Sequence, residues 1–394
     1  MSNPYPVTTL GEVFEIARGG SPRPIKDYIT EDPAGLNWIS IKDASNGGKY
    51  ISETKQKIRK EGLSKSRLVK PGDFLLTNSM SFGRPYIMNT TGCIHDGWLV
   101  LSSDPEKVFP DYFYYLLGSE TMYRKFSALA GGAVVKNLNI DLVKGVEIPL
   151  PPLKEQKRIA AILDKTDAIR RKRRQVIQLA EEFLRAVFLD MFGDPVTNSK
   201  GWDTLGLSKV IESERGISYG VVQRGDQDND GVRLVRISDF TENLFNPKGV
   251  IKCSQEISDQ YKRTVLKGGE LLISIRGTVG RIAVVPDYAV GWNVTREVAI
   301  IPLLEGESRA FIRSLLLTGP AQRLISGQVK GVAQSGINLA DLREFELIRP
   351  PENMIKRYER IEAFVMDKFV SYADEKDYDA LFFSLSQTLF AGEL

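Results

Sequence analysis

His95 is the only histidine in the 394-residue chain, and Cys93 stands two positions before it. A histidine and a cysteine at that spacing could share a metal ion, but a closed zinc site takes four such ligands. The one other cysteine, Cys253, lies in the far half of the chain, which excludes both a CxxC zinc site and a disulfide framework. A structural histidine is expected. Nucleotide hydrolysis would need a GxxxxGK[ST] loop to cradle phosphates, and none is present. Neither Asn-Pro-Pro-Tyr nor Asp-Pro-Pro-Tyr occurs, so adenine-N6 methyl transfer has no motif here. What remains for catalysis is Asp43 with Glu53 and Lys55, a loose D…ExK spacing that could hold Mg²⁺ for hydrolysis.

Other side chains suit binding better than catalysis. Reading a base needs bidentate donors and acceptors carried on loops or element ends: arginine for guanine, asparagine or glutamine for adenine. By that criterion the candidates in the first half are Arg23, Lys26, Lys42, Ser81, Arg84 and Lys136. In the second half they are Tyr219, Gln223, Arg276, Thr278, Arg281 and Gln334. Arg276 and Thr278 occupy a glycine-bounded turn between two apolar runs, where backbone can approach DNA closely. The overall charge of +3 is too mild to point to nucleic acid by itself. Local clusters carry more: "KQKIRKEGLSKSRLVK" at 55–70 and "IRRKRR" at 169–174. Such runs suit phosphate contact. The first is equally readable as a solvated surface. The second sits mid-helix and is open to pairing with Asp374, Glu375, Asp377 or Asp379.

The elements that must position these residues come in two copies. "NIDLVKGVEIPLPP" (139–152) matches "NLADLREFELIRPP" (338–351), and "LVKPGDFLLT" (68–77) matches "VLKGGELLIS" (265–274). Gly83-Arg84 answers Gly280-Arg281, and "WISIKDAS" (38–45) answers "LVRISDFT" (234–241). Four matches in the same order at nearly constant offset define an internal duplication. Asn139 and Asn338 match across it and are expected to cap or hold a loop. Asp43 pairs with Asp239, whose copy has no following ExK, and this weakens the Mg²⁺ reading. Each copy alternates short β-like runs with amphipathic helices, a mixed α/β pattern without regular βαβ succession.

A helical segment follows each copy. Apolar residues at Ile159, Ile162, Ile169, Val176, Ala180, Phe183 and Val187 recur in heptad-like steps, with a second line at Leu163, Ile177, Leu184 and Met191. Pro151 and Pro152 fix the entry to this helix, and Gly193-Asp194-Pro195 stops it. Residues 151–193 carry a net charge of +4 and residues 351–394 a net −4. Complementary charge selects partner and register in paired helices. The expectation is two globular domains, 1–150 and 194–350, separated by an antiparallel coiled-coil pair formed from 151–193 and 351–394. A pseudo-twofold axis would relate the halves in a dumbbell.

The run "VVKNLNIDLVKGVEIPLPPLKEQKRIAAILDKTDAI" resembles the central conserved region of type I restriction–modification specificity subunits, and "IPLPPLKEQKRIA" is a specific signature of that family. "GGELLISIRGTVGRIAVV" is similar to a recurrent segment of its target-recognition domains. The resemblance covers the whole chain. It departs at "LIRPPENMIKRYERI", which lacks the counterpart of Glu155-Gln156, and at "TNSMSFGRPYIM", which differs from "SIRGTVGRIAVV" as domains reading different sequences would.

The resemblance implies a non-catalytic subunit that binds a bipartite, asymmetric target in double-stranded DNA. Two modification subunits would dock on the helix pair, through Glu155, Gln156, Ile159 and Leu163, and restriction subunits would join them. S-adenosylmethionine, ATP and Mg²⁺ would then belong to the partners, with no cofactor or metal in this chain. Alternatives are a self-contained nuclease using Asp43, Glu53 and Lys55, or the specificity subunit of a related non-type-I system. No apolar run approaches the roughly 20 residues of a membrane span, and "MSNPYPVTTLGEVF" has no signal-peptide layout. A cytoplasmic protein is expected.

Overall fold

A computed structural model describes residues 4–46, 48–78, 83–129, 138–226, 228–240, 245, 251–327, 336–371 and 378–394. Packing divides the chain into two compact units. Unit 1 combines residues 1–171 with 377–394, and unit 2 is 172–376.

In unit 1 the chain begins and closes on one antiparallel pair, Val7–Thr9 against Glu147–Pro149. Between them lie two five-stranded sheets. The first runs Phe14–Arg18, Trp98–Ser103, Phe74–Thr77, Pro85–Met88, Tyr50–Ile51. The second runs Ile29–Thr30, Gln56–Ile58, Leu36–Ile39, Gly92–Ile94, Arg67–Val69, with one parallel pair, Cys93 opposite Trp38. Central strands such as Phe74–Thr77 and Pro85–Met88 are buried along their whole length, as near-continuous apolar runs require. Helices Pro110–Leu117 and Glu120–Leu129 add Tyr112, Phe113 and Phe126 to the core, all 0% exposed.

Unit 2 repeats this plan. Asp203–Gly206 pairs antiparallel with Glu346–Arg349. A four-stranded sheet orders Ser218–Tyr219, Val298–Ile301, Leu271–Ser274 and Ile282–Val284, and a three-stranded sheet again contains one parallel pair, Leu234 opposite Asn293. The duplication extends to individual hydrogen bonds. In unit 1 Gly83 N donates to Thr77 O (2.7 Å) and Arg84 N to Thr77 Oγ1 (3.1 Å); in unit 2 Gly280 N donates to Ser274 O (2.9 Å) and Arg281 N to Ser274 Oγ (2.9 Å). Gly83 and Gly280 take φ of +76° and +88° in these turns, a region that favours glycine.

The central helix spans Leu153–Phe192, about 60 Å at 1.5 Å per residue. Its first turn rests on Pro152, whose carbonyl accepts from Glu155 N (2.8 Å) and Gln156 N (3.0 Å). Gly193, at φ +77°, ends it with its N–H on Leu189 O, a left-handed C-terminal stop. The distal segment is described as a helix Glu352–Val365, a π-helical turn Met366–Ser371 and a helix Tyr378–Ala391.

The two helical segments pack antiparallel within each unit. In unit 1 Arg158 Nη2 donates to Leu394 O (2.7 Å), and Arg170 lies 3.4 Å from Asp379. In unit 2 Phe188 meets Tyr358 edge-on at 5.4 Å, while Ala180 and Leu184 pack with Ile361 and Val365. Of the two apolar lines on the central helix, the second is the better covered: Leu163 and Leu184 are 0% and 5% exposed, and Ile177 and Met191 are half-buried. On the first line Ile169, Val176 and Phe183 are 52%, 42% and 51% exposed. Period alone could not separate the two lines.

Candidate nucleic-acid interface

Two of the candidates of unit 2 share one turn. Arg276 and Thr278 are exposed between strands Leu271–Ser274 and Ile282–Val284, and Gly277 and Gly280 hold the turn at positive φ. The Arg276 backbone bridges to Gly336. Arg281 differs from them: it is half-buried, and its Nη1 is directed at Ile237 O (3.4 Å), an internal contact. Tyr219, 47% exposed, ends the edge strand Ser218–Tyr219, and Gln223 is exposed four residues on.

In unit 1 Arg23 is open to solvent near Asp96 (3.8 Å). Lys26 is exposed on the 3₁₀ turn Ile25–Asp27, and Lys42 is exposed on helix Ile41–Asn46. Arg84 lies over the Tyr86 ring at 5.7 Å and lines a cavity of about 320 Å³ with Tyr114, Asp167 and Arg170. Ser81, Lys136 and Gln334 lie outside the described residues.

The basic runs are partly committed to the protein itself. Arg170 binds Asp167 at 2.5 Å as well as Asp379, and stacks on Phe382 at 4.5 Å; Arg171 binds Asp167 at 2.9 Å. Of the acidic partners considered from sequence, Asp379 is one; Asp374, Glu375 and Asp377 lie outside the described residues. In the run 55–70, Lys65 donates to Tyr28 Oη (3.0 Å), and Arg67 Nε donates to Arg18 O (2.8 Å). Arg18, which composition did not single out, and Arg67, from the basic run 55–70, line an open cleft of about 740 Å³ with Lys144 and Asn139. Only strand register reveals the pairing, because Arg18 is a lone cation at the end of "FEIAR".

Asp43 does not build a nuclease site. Its Oδ2 accepts from Ser40 N (2.9 Å) and Ser40 Oγ (2.7 Å), and its Oδ1 from the backbone N of Lys55 (3.2 Å). Lys55 thus reaches it through the main chain rather than the ammonium. Asp239 does the same job in unit 2, accepting from Arg236 N at 2.8 Å. Asn139 and Asn338 are N-caps, accepting from Asp141 N (2.9 Å) and Ala340 N (3.0 Å). His95 sits between Trp38 and Trp98, and its Nδ1 accepts from Gly97 N (2.9 Å). Burial lowers its pKa, against the pull of Asp96, which favours a neutral structural ring.

Most of the expected partner residues at the start of the central helix are held within unit 1. Gln156 is 1% exposed: its Nε2 donates to Lys107 O and Pro151 O, and its Oε1 accepts from Phe109 N. Ile159 and Leu163 are 0% exposed in the core of unit 1. Glu155 alone stays accessible, held by Arg158, whose hydrogen bonds keep the carboxyl pKa low, and by Tyr5 Oη (3.0 Å). The same 150–163 stretch that marks the family therefore docks helix to domain inside the chain.

Comparison with known proteins supplies the identity of this arrangement. Residues 3–179 match the family model of the type I restriction modification DNA specificity domain. The EcoBI specificity subunit of Escherichia coli is 27% identical over 321 residues, covering 74% of this chain and 65% of that protein. The MjaIX specificity subunit of Methanocaldococcus jannaschii is 22% identical over 407 residues, covering 93% of this chain and 88% of that protein. Residues 3–179 thus match the DNA specificity domain of type I restriction–modification systems, and the chain as a whole is similar to their specificity subunits. A crystal structure of the type I S subunit from M. genitalium shares the fold, with a TM-score of 0.51, 16% identity and coverage of 99% and 97% of the two chains. Among the described residues no helix is long and apolar enough to cross a membrane.

Proposed function

We propose that this specificity subunit reads a bipartite, asymmetric sequence in double-stranded DNA, one half with residues 1–150 and the other with 194–350. The supporting observation is that both domains close the same turn with the same hydrogen bonds, while the sequences within it differ, "NSMSF" at 78–82 against "IRGTV" at 275–279. The Gly277–Gly280 turn offers Arg276 and Thr278 to a base edge, while Arg23, Lys26, Lys42 and Arg84 serve the other half-site. S-adenosylmethionine, ATP and Mg²⁺ chemistry belongs to the partner subunits, and the assembly works in the cytoplasm. The test is methylome sequencing of cells expressing the complete modification complex. Arg276→Ala should relax one half of the motif and leave the other intact, at about 1–3 kcal/mol for a bidentate contact. Uniform weakening over all sequences would make Arg276 a phosphate contact instead.

Two modification subunits and a restriction subunit join this chain. The surface that best fits a modification subunit is a groove of about 800 Å³ in unit 2. Val176, Leu179 and Phe183 of the central helix face Ile361, Phe364 and Phe369 across it, with Arg357 and Arg360 alongside. An exposed apolar patch of this kind marks an interaction surface. An amphipathic helix with acidic flanks satisfies it. Phe183→Glu should abolish co-purification with the modification subunit while leaving the melting temperature of the isolated chain near that of the parent. Unchanged assembly would remove the groove from the interface.

A further inference from the structure

Arg18 and Arg67 come from the two different sheets of unit 1 and converge on the turn 94–98. Arg18 closes strand Phe14–Arg18 opposite Leu99, and Arg67 opens strand Arg67–Val69 opposite Ile94. The backbone beyond Arg18 is pressed onto this turn. Gly19 N donates to Trp98 O (3.0 Å), Gly20 N donates to Ile94 O (3.1 Å), and a Cβ on Gly19 would fall 2.1 Å from His95 O. Each guanidinium is then fixed by its Nε to a carbonyl: Arg18 to Asp96 O (3.0 Å) and Arg67 to Arg18 O (2.8 Å). Both side chains are exposed. Among the described residues, neither forms a direct ion pair, and no hydrogen bond holds their Nη groups. The nearby carboxylate of Asp96 is engaged by Ser21 Oγ at 2.8 Å and by Arg23.

We propose that Arg18 and Arg67 form a pre-arranged arginine pair that grips a planar bidentate acceptor in the half-site read by unit 1. The acceptor chemistry is that of a guanine O6/N7 edge or a backbone phosphate, both of which match the guanidinium fork. Fixing Nε in advance reduces the side-chain entropy lost on binding. The proposal rests on the reading of the chain as a bipartite DNA reader and adds residues to it.

Unit 2 shows why the pair is specific to one half-site. Tyr219, opposite Ala299, occupies the register of Arg18, and Gly220 that of Gly19, with a Cβ there only 1.9 Å from Val294 O. The equivalent of Arg67 is Thr264, 1% exposed, whose Oγ1 donates to Asn293 Oδ1 (2.7 Å). The frame is kept and the donors are replaced.

The experiment compares Arg18→Ala, Arg67→Ala and Arg67→Lys in the complete modification complex. Methylome sequencing reads the motif, and binding to cognate and scrambled duplexes is measured at several salt concentrations. Both alanine variants should weaken cognate binding about 5- to 150-fold and leave the half-site of unit 2 unchanged. If the acceptor is a base edge, the preference of unit 1 broadens and Arg67→Lys, which keeps charge but loses the fork, behaves like Arg67→Ala. If it is a phosphate, all duplexes weaken alike, the salt slope falls by about 1, and Arg67→Lys stays near the parent. Parental motif, affinity and salt slope in both alanine variants would overturn the proposal, as would a change confined to the half-site of unit 2. A parent without a two-part motif would instead refute the bipartite reading on which it rests.

Discussion

Units 1 and 2 share a backbone frame and differ in how each one locks its helical segment to its sheets. The helices Pro110–Leu117 and Arg309–Leu316 are equivalent, with Tyr112 and Phe311 buried at matching positions. So are the starts of the two helical segments, where Ile159 matches Tyr358, both 0% exposed. Within this shared frame Leu163 of unit 1 is replaced by Glu362, and Tyr114 by Arg313. Unit 2 therefore holds an ion pair, Arg313 Nη2 to Glu362 Oε1 at 2.6 Å, with the two residues 4% and 9% exposed. Unit 1 places its polar lock nearer solvent. Lys49 lies between Asp111 (2.5 Å) and Asp164 (2.6 Å), with Tyr50 Oη on Asp111 and Tyr115 Oη on Asp164, each at 2.6 Å. The lesson is that a duplicated frame keeps its backbone hydrogen bonds while its joints and its exposed donors diverge.

The largest expected effect comes from breaking the buried lock. Arg313→Met strands Glu362 and should cost about 3–5 kcal/mol, whereas the pair Arg313→Met with Glu362→Leu should recover most of the loss, because an apolar pair of similar size is often neutral. Urea unfolding of the parent, the single and the double variants measures this; a double variant as weak as the single would show that packing, not charge, holds the joint.

The same pair sets a pH dependence. Burial raises the Glu362 carboxyl above the usual range, while Arg313 pulls it down. Glu362 thus binds its proton more tightly folded than unfolded. Its stabilising contribution is complete below the unfolded value and is lost as pH rises through the folded one. Arg313→Met removes the downward pull, so the gap between variant and parent should be wider at pH 8 than at pH 5. Equal gaps at the two pH values would mean that Glu362 does not titrate in that window.

Much of this architecture was legible in sequence because a duplication repeats whatever the backbone needs. Gly83 and Gly280 recur for their turns, Asn139 and Asn338 for their caps, and Pro151-Pro152 for the entry to the central helix. An apolar period says that a helix face is buried but not by what: Ile159 and Leu163 are buried within unit 1 itself, while Ile169, Val176 and Phe183 remain open. Glutamine is usually exposed, yet the Gln156 amide is buried and satisfies three backbone groups. Arg18 was invisible because a single cation in a strand has no pattern until register places it beside Arg67.

A smaller effect is expected from the lock of unit 1. Lys49→Met leaves Asp111 and Asp164 without their shared cation, but the Asp164 side chain is 42% exposed and water can take over. The cost should be about 1–3 kcal/mol, the range for a lost hydrogen bond to a charged group, and so below that of Arg313→Met. Tyr115→Phe, which removes one donor from Asp164, should cost less again. Burial and the hydrogen bond to Asp164 raise the pKa of that hydroxyl, so it remains a donor and the penalty should not vary between pH 6 and 9. A Lys49→Met loss equal to that of Arg313→Met would mean that both joints are equally dry, against the exposures seen.

The smallest effect probes what the units share. Asn139 and Asn338 each cap a five-residue helix, Ile140–Lys144 and Leu339–Arg343, with an Oδ1 accepting from the N–H two residues on. Both side chains are in exposed residues, so burial does not separate them and the capping bond is the main term lost. Asn139→Ala and Asn338→Ala should each cost about 1 kcal/mol, within the usual 0.5–2 for a cap, and should agree within about 0.5 kcal/mol. The two sites share no partner, so a double variant should cost their sum to the same tolerance. Urea midpoints of the three variants decide it. Equal and additive losses would mark these caps as part of the duplicated frame. A loss of 2 kcal/mol or more at one site alone would assign that asparagine a further role in its own unit, and move the boundary between frame and reading surface to include it.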